Sequence, residues 1–129
     1  MARIMIIDDD HAVRDALGEL VHAAGHDICT AAEGSQALDR LPSFRPDLVI
    51  TDILMPGMEG MQTIYELRKR QPELPIIAMS GGSGFRDMDY LKTAERIGAS
   101  HTLCKPVEPA SLIAAIQGLL STAARTLRV

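Results

Sequence analysis

Short apolar runs alternate with helix-forming segments along the whole chain, and this alternation limits the folds that are open to it. Five runs have the length of a β-strand, and several are apolar throughout, as in strands covered on both faces. They are residues 3–7, 27–31, 48–51, 76–79 and 101–104. Five strands, each followed by a helix, predict an α/β fold with a doubly wound parallel sheet.

The segments between and after these runs show the helical period. In the first of them Asp9 or Asp10 can cap the start of a helix, and Gly25 is placed to end it. The other four segments have the same spacing of apolar residues. The apolar positions are Val13, Leu17, Leu20, Val21 and Ala24; Ala37, Leu38 and Leu41; Met61, Ile64 and Leu67; Leu91, Ala94 and Ile97; and Leu112, Ile113, Ile116, Leu119 and Leu120.

The order of the strands decides where a ligand would bind. Right-handed crossovers leave few orders, and the flavodoxin-like order 2-1-3-4-5 is the common one for five strand–helix units. Ligands of such sheets bind outside the carboxyl ends of the strands, at the switch point between strands 1 and 3. Asp8 and Asp9 follow the first strand and Asp52 follows the third. The sequence therefore predicts a site built on these acids.

Length, charge and hydropathy restrict the class of protein. With 129 residues, 47% of them hydrophobic, we expect one domain over 1–129, a core over about 3–120 and no output domain. The net charge of -4 comes without a basic stripe, which argues against direct nucleic-acid binding. No apolar stretch has the length of a signal peptide or a membrane span. We therefore expect a cytoplasmic protein that does not contact a membrane.

The residues at the strand ends predict phosphoryl-transfer chemistry. Two carboxylates about 4.5 Å apart repel by roughly 4 kcal/mol at an effective dielectric near 20, so the acidic cluster needs a cation. Mg²⁺ prefers such oxygen ligands, and a central aspartate can then act as a nucleophile toward a phosphoryl group. Lys105 and the hydroxyl of Ser80 are placed to contact phosphoryl oxygens. Asp10 is expected to cap the first helix, and the Lys105-Pro106 bond is a candidate cis peptide.

The strand-end residues belong to longer motifs: Ile6-Ile7-Asp8-Asp9-Asp10, Asp52-Ile53-Leu54-Met55-Pro56 with Glu59-Gly60, Met79-Ser80-Gly81, Gly98-Ala99 and Leu103-Cys104-Lys105-Pro106. Together these motifs resemble the receiver domain of two-component response regulators, in its stand-alone form. The resemblance implies that Asp52 accepts a phosphoryl group from a phosphohistidine of a sensor histidine kinase. It also implies that Asp9, Asp52 and the backbone carbonyl of Leu54 bind Mg²⁺, that Asp8 holds a metal-bound water, and that Ser80 and Lys105 contact the phosphoryl group.

The same resemblance implies a signalling module that is not a turnover enzyme, with only self-catalysed phosphotransfer and slow autodephosphorylation. Its partners would be the kinase and either a downstream protein target or a histidine phosphotransfer protein. The resemblance implies that the phosphorylated state is read out on the fourth helix, fifth strand and fifth helix. The chain departs from the family at Thr102, where an aromatic residue is common, and Phe85 or Tyr90 are candidates for the mobile aromatic. Gly81 replaces an alanine, and Leu54 and Gly82 offer no polar side chain to orient a water.

Three alternatives stay open at this stage. An Mg²⁺-dependent phosphatase of the haloacid-dehalogenase type would use Asp8 as its nucleophile with Asp10 two residues on, but Ala12 stands where that family has Thr or Val. A flavin-binding module has the same fold, although only two Tyr and two Phe are present to stack on a ring. An adaptor that is never phosphorylated is disfavoured, because all the residues of the acidic site are present.

Overall fold

Strands and helices alternate along the chain. The computed structural model describes residues 1–53, 60–81 and 85–127, and the side chains of these except 85–88 and 124–127. The elements are β1 (Arg3–Ile7), α1 (His11–Ala23), β2 (Asp27–Ala31), α2 (Gly34–Phe44), β3 (Leu48–Asp52), α3 (Gly60–Arg70), β4 (Ile76–Ser80), α4 (Phe85–Ile97), β5 (His101–Cys104) and α5 (Pro109–Leu127). All five predicted strands are confirmed, and β3 and β4 each extend one residue further than predicted.

The sheet has the predicted strand order. Its strands run parallel in the order β2-β1-β3-β4-β5, so the flavodoxin-like topology is confirmed. Ile7 pairs with Thr51, Asp52 with Met79, and Ser80 with Cys104. Because parallel strands end on the same side, this register brings the residues after four strands to one edge of the sheet.

Apolar side chains cover both faces of the sheet. In β1, Met5 and Ile7 point to the face covered by α2, α3 and α4, whereas Ile4 and Ile6 point to the face covered by α1 and α5. All four are fully buried, and burying each such side chain stabilises the fold by roughly 1.5–3 kcal/mol. With both faces closed by helices, the ends of the strands are where polar groups can meet solvent.

Helix α1 starts directly after the acidic residues of β1. Asp10 is its N-cap, as predicted, and Oδ1 of Asp10 accepts hydrogen bonds from the backbone N of Ala12 at 3.0 Å and of Val13 at 3.2 Å. Such a cap contributes about 1 kcal/mol. The helix ends before Gly25, whose positive φ of 98° favours glycine. The start of α1 is therefore anchored at the position where β1 ends.

Helix α3 packs very closely on the end of β3. A Cβ atom added to Gly60 would lie 2.3 Å from Cα of Ile53 and 2.4 Å from the backbone oxygen of Asp52. No side chain fits there, because both of these neighbours are backbone atoms. Glycine at the first position of α3 therefore allows this helix to contact the backbone of Asp52.

Candidate functional site

Three carboxylates meet at the carboxyl edge of the sheet. One oxygen from each of Asp8, Asp9 and Asp52 lies within 4.8 Å of the other two. Asp8 is fully buried and Asp52 is 5% exposed, whereas Asp9 is exposed. The two acids that follow β1 therefore differ in environment, as expected for neighbours that point to opposite sides of a strand end. The structure thus brings together the acids that the sequence placed at the switch point.

Lys105 closes this cluster from the other side of β3. Its Nζ lies 2.8 Å from Oδ2 of Asp8 and 3.1 Å from Oδ2 of Asp52. Burial alone would lower the pKa of Lys105, but its hydrogen bonds with Asp8 and Asp52 and their charges outweigh that effect and raise the pKa above the ordinary lysine value. The ammonium group is therefore charged and compensates part of the negative charge.

The backbone around Lys105 holds this side chain at the edge of the sheet. The backbone N of Lys105 donates to the carbonyl of Ser80 at 2.6 Å, which continues the pairing of β4 and β5 by one residue. The peptide bond between Lys105 and Pro106 is cis, as the sequence suggested. Lys105 is thereby attached to the neighbouring strand at the point where its side chain reaches the acids.

The third aspartate of the run has a different role from the first two. Asp10 is absent from the carboxylate cluster and caps α1, while its backbone N donates to Oδ1 of Asp8 at 2.9 Å. With Lys105 on its Oδ2, Asp8 is bonded through both carboxylate oxygens. The run of acids therefore contains two cluster members and one helix cap.

Ser80 lies at the same edge and is fully buried as the last residue of β4. Strand β4 pairs with β3, and β3 ends at Asp52. The predicted backbone ligand Leu54 lies outside the described residues, as do Gly82 and the side chain of Phe85. The structure therefore places Asp8, Asp9, Asp52, Ser80 and Lys105 on one edge and describes no position for the Leu54 carbonyl.

The donor set of the cluster suits a metal ion. Three carboxylates within 4.8 Å of one another offer only oxygen ligands, the type that hard divalent cations prefer. Two of these carboxylates are buried or nearly so, and desolvation makes their repulsion costly without a nearby positive charge. The residues present therefore fit a metal site.

Arg14 is a contact of the site that our sequence analysis did not identify. Its Nη1 donates to the backbone oxygen of Asp8 at 2.9 Å. The signal available in the sequence is positional: Arg14 lies one turn into α1, and side chains in helices lean back toward the N-terminus. A long cationic side chain at this position can reach the loop that precedes the helix.

Thr102, where the family commonly has an aromatic residue, contacts α4 instead. Its Oγ1 donates to Oε1 of Glu95 at 3.3 Å. The contact joins β5 to α4 on the surface of the molecule. The hypothesis that Phe85 or Tyr90 serves as the mobile aromatic stays a prediction, since the Phe85 side chain lies outside the described residues.

The fold and the acidic cluster define a doubly wound domain with a metal-type site at its switch point. Comparison with known families then identifies its relatives: the profile of the response regulator receiver domain matches residues 4–117. The chain therefore belongs to the receiver domain family of two-component response regulators.

Individual relatives agree with this assignment. The DNA-binding transcriptional regulator NtrC of Escherichia coli K12 is 32% identical over 92% of this chain, and the transcriptional regulatory protein AfsQ1 of Streptomyces coelicolor is 35% identical over 93%. The chain spans 24% of the length of NtrC and 52% of that of AfsQ1. A receiver domain protein from Clostridium thermocellum has a crystal structure with a TM-score of 0.89 and 29% identity, covering 100% of both chains.

The comparisons bear on one of the alternatives considered for the sequence. Receiver domains are phosphoacceptor signalling domains, and the family match gives no support to a haloacid-dehalogenase phosphatase.

Within the described ranges, no helix has both the length and the apolar character required to cross a bilayer.

Proposed function

We propose that Asp52 is the phosphoacceptor of an Mg²⁺-dependent signalling switch. The observation that carries this proposal is the position of the Asp52 carboxylate. It lies at the end of the central strand β3, within 4.8 Å of the oxygens of Asp8 and Asp9 and 3.1 Å from the ammonium of Lys105. A carboxylate in this position has a metal site on one side and a cation on the other.

The three acids are proposed to hold Mg²⁺, with Asp9 and Asp52 as direct ligands together with the carbonyl of Leu54. Asp8 accepts two hydrogen bonds from the protein and is proposed to hold a water of the ion. When bound, Mg²⁺ supplies positive charge that offsets the charge of both the carboxylate and the incoming phosphoryl group.

The reaction is a transfer between two nucleophiles. A carboxylate oxygen of Asp52 attacks phosphorus, and an O–P bond forms as the N–P bond of a phosphohistidine breaks. The histidine nitrogen leaves with the electron pair and takes up a proton. The buried position of Asp52, which is 5% exposed, limits the access of water to the acyl phosphate that results.

Lys105 and Ser80 are proposed to bind the phosphoryl group after transfer. The ammonium of Lys105 bonds to Asp52 in the unmodified protein, so a phosphoryl oxygen on Asp52 lies within reach of the same group. The hydroxyl of Ser80, at the end of the adjacent strand, would bond to another oxygen. These new bonds favour one conformation of the edge and shift the population of states that partners recognise.

The partners are proposed to be a sensor histidine kinase, as donor, and a downstream protein target or a histidine phosphotransfer protein. The surface of α4, β5 and α5 is proposed as the face that changes. The contact of Thr102 with Glu95 supports this, because it connects α4 to the strand that leads into Lys105. The domain would signal through its phosphorylated state and not through multiple turnovers on a substrate.

Mass spectrometry after treatment with acetyl phosphate and Mg²⁺ tests the proposal. Wild type is expected to gain the mass of one phosphoryl group, and Asp52→Asn is expected to gain none. Asp10→Asn is the matched control: asparagine caps helices as well as aspartate does, and the residue is adjacent to the cluster without belonging to it. Labelling of Asp52→Asn at the wild-type level would refute the proposal and revive Asp8 as a nucleophile.

A further inference from the structure

We propose that Arg14 is a positioning residue of the metal site, whose guanidinium holds the peptide group between Asp8 and Asp9 and so places the Asp9 carboxylate. This inference rests on the proposed function, because it concerns the same Mg²⁺ site. It adds a residue to that site from outside the acidic cluster.

The first step of the argument is the contact itself. Nη1 of Arg14 donates to the backbone oxygen of Asp8 at 2.9 Å, and this oxygen belongs to the peptide plane that ends at the nitrogen of Asp9. The backbone N of Arg14 donates to the carbonyl of Asp10 at 2.9 Å, so its own position is set by the first turn of α1. The helix thus holds the loop through a half-buried side chain.

The second step is the contrast between Asp8 and Asp9. Asp8 is held by its backbone N, which donates to Ala31 at 3.1 Å, and by both of its carboxylate oxygens. Asp9 is exposed, and no other described residue forms a hydrogen bond with its carboxylate. The position of the Asp9 carboxylate therefore depends on the conformation of the Asp9 backbone. Arg14 restrains that conformation by bonding to the peptide group between Asp8 and Asp9.

The third step is a lateral contact that orients the guanidinium. Nη2 of Arg14 lies 3.0 Å from Nδ1 of His11, and Nε2 of His11 lies 3.2 Å from Oδ2 of Asp15. When Nδ1 accepts from Arg14, Nε2 carries the proton and donates to Asp15. The side chains of His11 and Asp15 are 78% and 57% exposed. Their contacts therefore contribute little stability and serve mainly to orient Arg14.

A purely structural role for Arg14 makes a different prediction. Loss of a structural hydrogen bond lowers the stability of the protein but leaves the metal affinity of the folded protein unchanged. Loss of a positioning contact weakens metal binding in the folded protein, as changes around metal ligands do by about 10–100-fold. Mg²⁺ affinity therefore separates the two roles.

The test uses Arg14→Lys, which keeps the charge and loses the planar two-point geometry of the guanidinium. Calorimetric titration of the unphosphorylated variant is expected to show Mg²⁺ binding weakened by about tenfold. The Mg²⁺ concentration for half-maximal phosphorylation by acetyl phosphate is expected to rise by the same factor. The rate at saturating Mg²⁺ is expected to stay within about twofold of wild type, because Asp52 and Lys105 are unchanged.

Arg68→Lys is the matched control. Nε and Nη2 of Arg68 donate to the carbonyl of Gly98 at 3.1 and 2.6 Å, and Nη1 donates to that of Pro72 at 2.7 Å, at the opposite edge of the sheet. The substitution removes the same kind of arginine–carbonyl contact far from the acids. It is expected to lower stability and to leave the Mg²⁺ affinity at the wild-type value.

The outcomes are distinct. Wild-type Mg²⁺ affinity in folded Arg14→Lys, or an equal loss in Arg68→Lys, overturns the positioning role. Should Arg14→Lys not fold, His11→Ala takes its place: it keeps Arg14 and removes the lateral contact. Because that contact is exposed and weak, about a threefold loss of Mg²⁺ affinity is expected. An unchanged affinity there also overturns the inference. Failure of wild type itself to bind Mg²⁺ or accept a phosphoryl group defeats the proposed function as well.

Discussion

The ammonium nitrogen of Lys105 lies 2.8 Å from a carboxylate oxygen of Asp8, although 97 positions separate the two residues in the chain. Both side chains are largely withdrawn from solvent, at 20% and 0% exposure. Within the part of the chain that the structure describes, this ammonium forms ion pairs with both Asp8 and Asp52. It therefore stabilises the cluster, and we expect its charge to compete with that of a metal ion bound there.

Replacing Lys105 by methionine is expected to tighten Mg²⁺ binding by about tenfold, because a competing charge is removed. Without a metal ion, the protein should lose roughly 2–3 kcal/mol of stability, since two buried carboxylates lose a hydrogen-bonding partner. Titration calorimetry and urea unfolding in the presence of a chelator measure the two effects. Lys69→Met, at an exposed position of α3, is the control and should change neither. Weaker Mg²⁺ binding in Lys105→Met would contradict competition.

The raised pKa of Lys105 predicts how its contribution to stability depends on pH. A folded-state pKa above that of the unfolded chain means that the contribution is fully present below the ordinary lysine pKa of about 10.4. It is lost as the pH rises through the folded-state pKa. The difference in unfolding free energy between metal-free wild type and Lys105→Met should be constant between about pH 7 and pH 9 and narrow only at higher pH. A difference that already declines near neutral pH would argue against this pairing.

Replacing Asp9 by asparagine is expected to stabilise the metal-free protein by about 1 kcal/mol, because one of three mutually repelling carboxylates is removed from an exposed position. The same variant should lose the stabilisation that Mg²⁺ gives to wild type, since a ligand is missing. Thermal unfolding with and without Mg²⁺ measures both effects. Asp39→Asn, at an exposed position of α2, should behave like wild type. A loss of stability in metal-free Asp9→Asn would show that repulsion does not dominate here.

Replacing Gly60 by alanine is expected to destabilise the protein by about 2–3 kcal/mol, because the added methyl group meets the backbone of Asp52 and Ile53. Phosphorylation should slow as well, since the end of β3 must shift. Gly118→Ala in α5 is the control: nothing lies within 4 Å of its added Cβ, and alanine favours helix by up to about 1 kcal/mol. Urea unfolding of both variants, followed by phosphorylation assays, gives the comparison. Equal stability of the two would contradict the close packing of α3.

Much of the fold could be predicted because its signals are local. Continuous apolar runs identified the five strands, and a three-residue stretch of acids before an apolar helical pattern identified Asp10 as the cap of α1. The meeting of Asp8, Asp9 and Asp52 was also predictable, because parallel strands end at one edge and a single strand order was favoured.

The contacts that refine the site could not be predicted in the same way. The bond of Arg14 to the Asp8 carbonyl depends on the rotamer of a long side chain, and the need for glycine at position 60 depends on how closely α3 approaches β3. The sequence by itself determined which helices and strands form and which acids share an edge of the sheet. The reason is that the spacing of apolar residues and the parallel direction of the strands both follow from the order of residues in the chain. Only the tertiary structure decided which atoms touch, because those distances arise when segments remote in the chain pack together.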